Sequence, residues 1–239
     1  MSQDAFADAI RNYWNVRAAQ AAKQAASGKM DAGLRGAVTG GGHLDGIAML
    51  LEDLFIDLGF PPSMVRRKAN IELPGYYRPT KKWDLVVADQ KRLVAAIEFK
   101  SQVGPSFGNN FNNRSEEAIG NAVDIWRSYQ EGTFGEVRPW LGYFFLLEEA
   151  QRSTAPVRLA KTLFPVEEVF EGTSYSDRYR ILCQRLVRER LYDAACFVTC
   201  SRDPEVPICQ PDPELSFTKF VAEITGRAAY ISALSEGQE

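Results

Sequence analysis

A chain of 239 residues, 45% apolar and 25% charged, can bury a substantial core and reads as one soluble globular domain. Its net charge of −3 argues against a generic polyanion binder, which carries a basic surplus. No apolar run approaches the ~18 residues of a membrane span, and the N-terminus lacks the basic-then-apolar pattern of a secretory signal, so a cytoplasmic protein with no membrane partner is expected.

Residues 3–26 are Ala-rich with few breakers and favour a helix, but the apolar stripe is so weak that an arm, a dimer contact and a capping helix all stay open. Residues 28–46, GKMDAGLRGAVTGGGHLDG, read as a glycine-dense loop whose backbone can approach a ligand closely. The loop lacks the Lys-Ser/Thr ending of a phosphate loop and no strand precedes it, so no nucleotide cofactor is expected. Ile47, Leu50, Leu51, Leu54, Phe55 and Leu58 then recur at helical spacing until Gly59 and Pro61 stop the helix. A short strand is predicted near Arg67–Leu73. WDLVVADQKRLVAAIEFKSQ predicts two strands joined by a tight polar turn.

Residues 104–114, rich in Gly, Asn and Ser, predict a loop, and residues 115–130 a helix. RPWLGYFFLLE predicts a buried strand, SDRYRILCQRLVRERL an amphipathic basic helix and DAACFVTC a further strand. Asp212 followed by Pro213 marks the start of a last helix, because Asp caps and Pro suits the first turn. The fold class is α/β, with helices covering a sheet. Cys183, Cys196, Cys200 and Cys209 are expected as reduced thiols. There is no paired C-x-x-C, and the lone histidine, His43, is far away in sequence, so a structural zinc is not expected.

Charge is unevenly spread. Between Pro61 and Lys100, Arg66, Arg67, Lys68, Arg78, Lys81, Lys82, Lys91, Arg92 and Lys100 face only Glu72, Asp84, Asp89 and Glu98. A locally basic surface on an acidic protein suits phosphates, although solvated loop charge explains it equally well.

Within this basic region, AAIEFKSQ sets Ala96, Glu98, Lys100 and Gln102 on one strand face and Leu93, Ile97 and Phe99 on the other. In the preceding strand Leu85 and Val87 are odd and Asp84 is even. A two-residue turn at Gln90 and Lys91 would mix apolar and charged groups on both faces. A three-residue turn or one bulge sets Asp84 opposite Glu98 and gathers Leu85, Val87, Leu93, Ile97 and Phe99 into one apolar face. Hydrophobic segregation therefore predicts the second register, with Asp84, Glu98 and Lys100 converging. Two carboxylates brought together are costly without a cation, and hard oxygen ligands suit magnesium, which keeps waters and engages phosphate. A lysine beside them can orient or deprotonate the attacking water, or stabilise charge developing on phosphorus. That combination fits metal-assisted phosphodiester hydrolysis. The bland alternative is an amphipathic strand with Glu98 and Lys100 toward solvent.

The pattern formed by Asp84, Glu98 and Lys100 resembles the PD-(D/E)xK nuclease motif, with Lys82-Trp83 in place of a proline before the aspartate. RPTKKWDL, IEFKSQVGPSFGNNFNNRSEEAIG and LCQRLVRERLY look like the XhoI family of type II restriction endonucleases, from the glycine loop to about Tyr192. The resemblance implies a restriction-endonuclease-like core with a mixed central β-sheet flanked by helices. The expected layout is a single nuclease domain over 1–239, with an N-terminal helical arm (1–27), a catalytic core (28–200) and a C-terminal helical extension (201–239). It further implies a homodimer that cuts double-stranded DNA at CTCGAG with magnesium, leaving a 5′ overhang. By carry-over Asp84 and Glu98 hold the metal and Lys100 positions the water, with Gln102 beside them on the same strand face. Asp45, Glu52 and Asp53 compete to complete the site, and Asp45 is favoured for its place at the mouth of the glycine loop.

Reading a DNA sequence needs Asn or Gln at adenine and Arg or Lys at guanine. Asn109, Asn110, Asn112, Asn113 and Arg114 are the leading candidates, although Asn/Gly turns also bond their own backbone. Arg35, Thr39 and His43 on the glycine loop are weaker ones. Arg78, Lys81 and Lys82 are assigned to phosphates. The competing readings are a repair or recombination nuclease that recognises DNA structure, and a non-catalytic DNA-binding protein on a nuclease scaffold.

Overall fold

A computed structural model describes residues 2–26 and 43–236. The elements run α1 (Gln3–Ala26), α2 (Asp45–Asp57), β1 (Val65–Arg66), β2 (Glu72–Pro74), β3 (Thr80–Lys82), β4 (Leu85–Ala88), β5 (Leu93–Gln102) and α3 (Phe107–Gln130). They continue with β6 (Trp140–Glu148), α4 (Gln151–Thr154), α5 (Tyr175–Arg188), β7 (Ala194–Cys200) and α6 (Phe217–Glu236). A five-stranded mixed sheet in the order β1-β4-β5-β6-β7 forms the centre, and β2 and β3 make a separate antiparallel pair. The β4–β5 pair is antiparallel, whereas β5–β6 and β6–β7 are parallel. Parallel neighbours need long crossovers, and α3 and α5 supply them.

Both crossover helices pack on one face. Ala118, Ala122 and Ile125 of α3, with Tyr179, Leu182 and Leu186 of α5, cover Ala96, Tyr143, Phe145 and Leu147. The opposite face carries α1, α2 and α6. Phe6, Ile10 and Tyr13 give α1 a narrow but fully buried stripe in the same cluster as Ile47, Leu51, Phe55, Phe220 and Ile224. Of the three options left open by the sequence, the first half of α1 acts as a capping helix, covering the sheet through three side chains at helical spacing. No helix among the described residues is long and apolar enough to cross a membrane.

The stop of α2 follows from sequence. Gly59 takes φ +96°, the amides of Gly59 and Phe60 bond back to Ile56 and Phe55, and the Phe55 and Phe60 rings meet at 5.8 Å. This is the glycine-terminated helix end with its hydrophobic clasp, and Pro61 follows it.

Three expectations need correction. The strand predicted near Arg67–Leu73 is split into Val65–Arg66 and Glu72–Pro74. The predicted loop 104–114 is helix from Phe107 onward. Asparagine disfavours helix interiors, but Phe107 stacks on Tyr175 and Phe111 meets Tyr179 edge-on at 5.1 Å, so tertiary burial outweighs local propensity. Asp212 caps a short 3-10 turn, Pro213–Leu215, by accepting from the Glu214 amide, and the long helix begins at Phe217.

All four cysteines are free thiols, and three of them are buried.

Candidate active site

The register between β4 and β5 is the one hydrophobic segregation selects. Leu85 pairs with Ile97 and Val86 with Ala96, which carries Asp84 opposite Glu98. A bulge makes this possible: Val87 pairs with Ala95 but Ala88 with Leu93, leaving Val94 as the extra residue. The bulge also corrects one detail. Leu85, Val87, Ile97 and Phe99 share the expected apolar cluster, whereas Leu93, beyond the bulge, belongs to the opposite one.

Asp84 sits where β4 enters the sheet. Its amide donates to the Ile97 carbonyl, and the Phe99 amide donates to Asp84 Oδ2 at 2.8 Å. Beyond this point β5 has lost its β4 neighbour, and a cleft of about 720 Å³ opens there. Arg17, Arg67, Lys68, Lys82, Lys100 and Arg114 line it against three carboxylates, Asp45, Asp84 and Glu117. Four of the nine basic residues between Pro61 and Lys100, namely Arg67, Lys68, Lys82 and Lys100, thus line the cleft with Asp84.

Glu98 is 2% exposed and held from two sides. Lys81 Nζ lies 2.7 Å from its Oε2, and Lys100 Nζ is ion-paired with its Oε1. Burial alone would raise the Glu98 pKa, but Lys100 and Lys81 outweigh it and hold the carboxyl below its ordinary value. Burial, reinforced by the Glu98 charge, pushes Asp84 up to about 6 despite the Phe99 amide and the two lysines. For Lys100 burial acts downward, and the Glu98 carboxylate overcomes it, so its pKa is raised and the side chain stays an ammonium.

The other candidates divide. Gln102 is buried on the cleft wall and donates to the Val103 carbonyl. Asn110 and Arg114, on the first turns of α3, line the cleft, and Arg114 also pairs with Glu117. Asn109, Asn112 and Asn113 are exposed on the same helix rather than on a loop. Lys82 is exposed at the cleft. Asp45 lines the cleft too, but its carboxylate lies 3.2 Å from Arg67, whose Nε is bound by Glu52. Among the described residues no group of three His, Cys, Asp or Glu side chains comes together, so Asp45 does not complete a triad with Asp84 and Glu98.

Arg78 is committed elsewhere: it donates to Asp124 and Asn121, and Asp124 also accepts from the Tyr76 and Tyr77 amides. It locks the β2–β3 connection to α3 and does not line the cleft. His43 is buried at the cleft, edge-on to Tyr13, with burial lowering its pKa. Arg35 and Thr39 lie outside the described residues.

Sequence reasoning missed the role of Lys81, assigned there to phosphate. The chain passes between Lys82 and Leu85 from the two-stranded sheet to the main one, and this tertiary step, which has no periodicity, brings Lys81 to Glu98. A slightly larger cavity, about 770 Å³ and lined by Trp126, Arg138 and Asp193, offers no comparable chemistry because Arg138 and Asp193 neutralise each other.

A mixed five-stranded sheet between helical layers, with two carboxylates and a lysine gathered across one antiparallel pair, is a restriction-endonuclease-like core. The chain belongs to the XhoI restriction endonuclease family, whose model, described as "Restriction endonuclease XhoI", matches residues 23–208. It is 47% identical over 217 residues to type II restriction enzyme BstVI of Geobacillus stearothermophilus, covering 87% of this chain and 96% of that one. It is 42% identical over 181 residues to type II restriction enzyme XhoI of Xanthomonas vasicola, covering 74% and 72% of the two chains. With type II restriction enzyme AbrI of Azospirillum brasilense it shares 48% identity over 148 residues, 61% of this chain and 66% of that one. No solved structure was found to match it.

Proposed function

We propose that this protein is a magnesium-dependent, site-specific endonuclease that cuts both strands of DNA at CTCGAG, leaves a 5′ overhang, and acts in the cytoplasm as a homodimer. The carrying observation is the Asp84–Glu98 pair with Lys100 beside it, Asp84 and Lys100 lining a cationic cleft and Glu98 buried next to them, in a chain of this family. The palindrome, the overhang and the dimer rest on the family resemblance. A two-fold dimer gives a symmetric site to each strand.

The donor set fits magnesium. Asp84 and Glu98 are hard oxygen donors, and the Asp84 pKa is raised by burial first and by the Glu98 charge second, both of which a cation would offset. When bound there, magnesium would supply Lewis-acid polarisation of the phosphate and a more acidic water. Asp84, fixed through Oδ2 by the Phe99 amide, keeps Oδ1 for the ion. Lys100, an ammonium that lines the cleft, donates to the attacking water or to the charge growing on the phosphate oxygens, rather than abstracting a proton. Arg114 and Lys82 take flanking phosphates, and Asn109, Asn110, Asn112 and Asn113 present amides suited to base edges from the start of α3.

The test is a digestion of DNA of known sequence with MgCl2, followed by mapping of the ends. Cuts confined to CTCGAG with 5′ overhangs are expected. Cleavage that follows branched or damaged DNA instead, or binding without magnesium-dependent cleavage, would overturn the reading.

A further inference from the structure

The two lysines on Glu98 are not equivalent. Lys100 lines the cleft, and Glu98 is the partner that its ammonium engages. Lys81 does not line the cleft, and its side chain is only 11% exposed. Its ammonium bonds Glu98 Oε2 at 2.7 Å, donates to the Lys82 carbonyl at 2.8 Å and sits 4.7 Å from the centre of the buried Trp83 ring. Three fixed partners hold Lys81 in place. Lys100 has one, and it is open to whatever enters.

We infer that Lys81 is a positioning residue: it anchors Glu98 by Oε2 from behind and leaves Oε1, the oxygen held by Lys100, as the one presented to a divalent cation. This rests on the endonuclease reading of the same site. A buried carboxylate free to rotate would spend much of its time with neither oxygen aimed at the cleft, and partners that orient a ligand raise metal affinity in this way. The Lys81 anchor makes Glu98 a one-oxygen ligand and frees Lys100 to turn from Glu98 to water or phosphate. The small β2–β3 sheet, which carries Lys81, thereby becomes part of the catalytic apparatus rather than a surface decoration.

Isothermal titration of the full-length protein with Ca2+ alone decides this without cleavage. Lys81→Met keeps the stem over Trp83 and is expected to weaken Ca2+ binding by roughly 10–100-fold, the usual effect of losing a partner that orients a metal ligand. Lys81→Arg, which keeps the charge and the ring contact, should stay close to wild type. Binding of a CTCGAG duplex in EDTA should be unchanged in both, and in single-turnover cleavage with Mg2+ the Met variant should lose rate while the Arg variant recovers it. If Lys81→Met does not fold, Lys81→Gln takes its place in the same titration.

Tighter Ca2+ binding in Lys81→Met would mean that Lys81 merely competes with the cation, and would overturn the inference. So would unchanged Ca2+ affinity with weaker duplex binding in EDTA, the signature of a phosphate contact. Failure of the wild type to cut would overturn the endonuclease reading, while the Ca2+ titration would still decide the role of Lys81.

Discussion

Strands β5 and β6 lie side by side in one sheet, and at matching levels they present opposite chemistries. Glu98 pairs with Tyr143, Lys100 with Phe145 and Gln102 with Leu147, so each pair shares a face at the same depth. On β6 these positions are aromatic or aliphatic and wholly buried beneath α3 and α5. On β5 they are polar, and β4, which begins just after Asp84, leaves β5 beyond Glu98 to the cleft. The difference comes from what covers each strand, not from strand propensity. Sheet register sets the height of each group, and the missing neighbour decides whether a carboxylate there can reach a substrate.

The comparison can be broken from either side. Lys100→Ala should reduce single-turnover cleavage by about 10²–10⁴-fold, with duplex affinity in Ca2+ nearly unchanged and the melting temperature close to wild type. Phe145→Ala, at the same level on β6, should do the reverse: it should destabilise the fold by about 3–5 kcal/mol in a urea titration while leaving per-molecule activity of the folded fraction largely intact.

A subtler effect is expected at Asp84. Its folded pKa of about 6 lies above the 3.8 of an ordinary aspartate, so the cation-free fold loses stability as the pH rises from 3.8 through 6 and stays destabilised above that. Asp84→Asn should therefore abolish cleavage yet stabilise the cation-free protein by on the order of 2 kcal/mol at pH 7. That advantage should shrink as the pH falls from 6 through 4 and be gone at about 3, where the wild-type carboxyl is protonated in both the folded and unfolded states. Equal stability of the two proteins from pH 4 to 7 would remove the electrostatic argument for a cation. The smallest effect belongs to the rim: Lys82→Ala should lower the slope of log affinity against log salt by about one, without changing which sites are cut.

How much was legible depended on whether a feature was periodic. Parity in AAIEFKSQ, combined with segregation of Leu85, Val87, Ile97 and Phe99, selected the β4–β5 register and its bulge. The same logic misplaced Leu93, because parity cannot say on which side of a bulge a residue falls. The start of α3 read as a loop since five residues favouring turns outvoted two aromatics, Phe107 and Phe111, whose partners Tyr175 and Tyr179 are more than sixty residues away in sequence. Arg78 and Lys81, both expected at phosphates, are paired elsewhere for a similar reason. One is claimed by Asp124 of α3 and the other by Glu98 of β5, and neither contact leaves a local trace.

The central claim is that Asp84, which lines this cleft, and Glu98, buried beside it, jointly form a divalent-cation site. Crystals grown with a CTCGAG duplex and soaked in Mn2+, which replaces Mg2+ and scatters anomalously, test it most directly. The expected result is an anomalous peak held by the Asp84 and Glu98 carboxylates, with Lys100 displaced from Glu98. A peak ligated elsewhere, or a cleft that holds DNA with Lys100 still locked on Glu98 and no cation beside it, would contradict it.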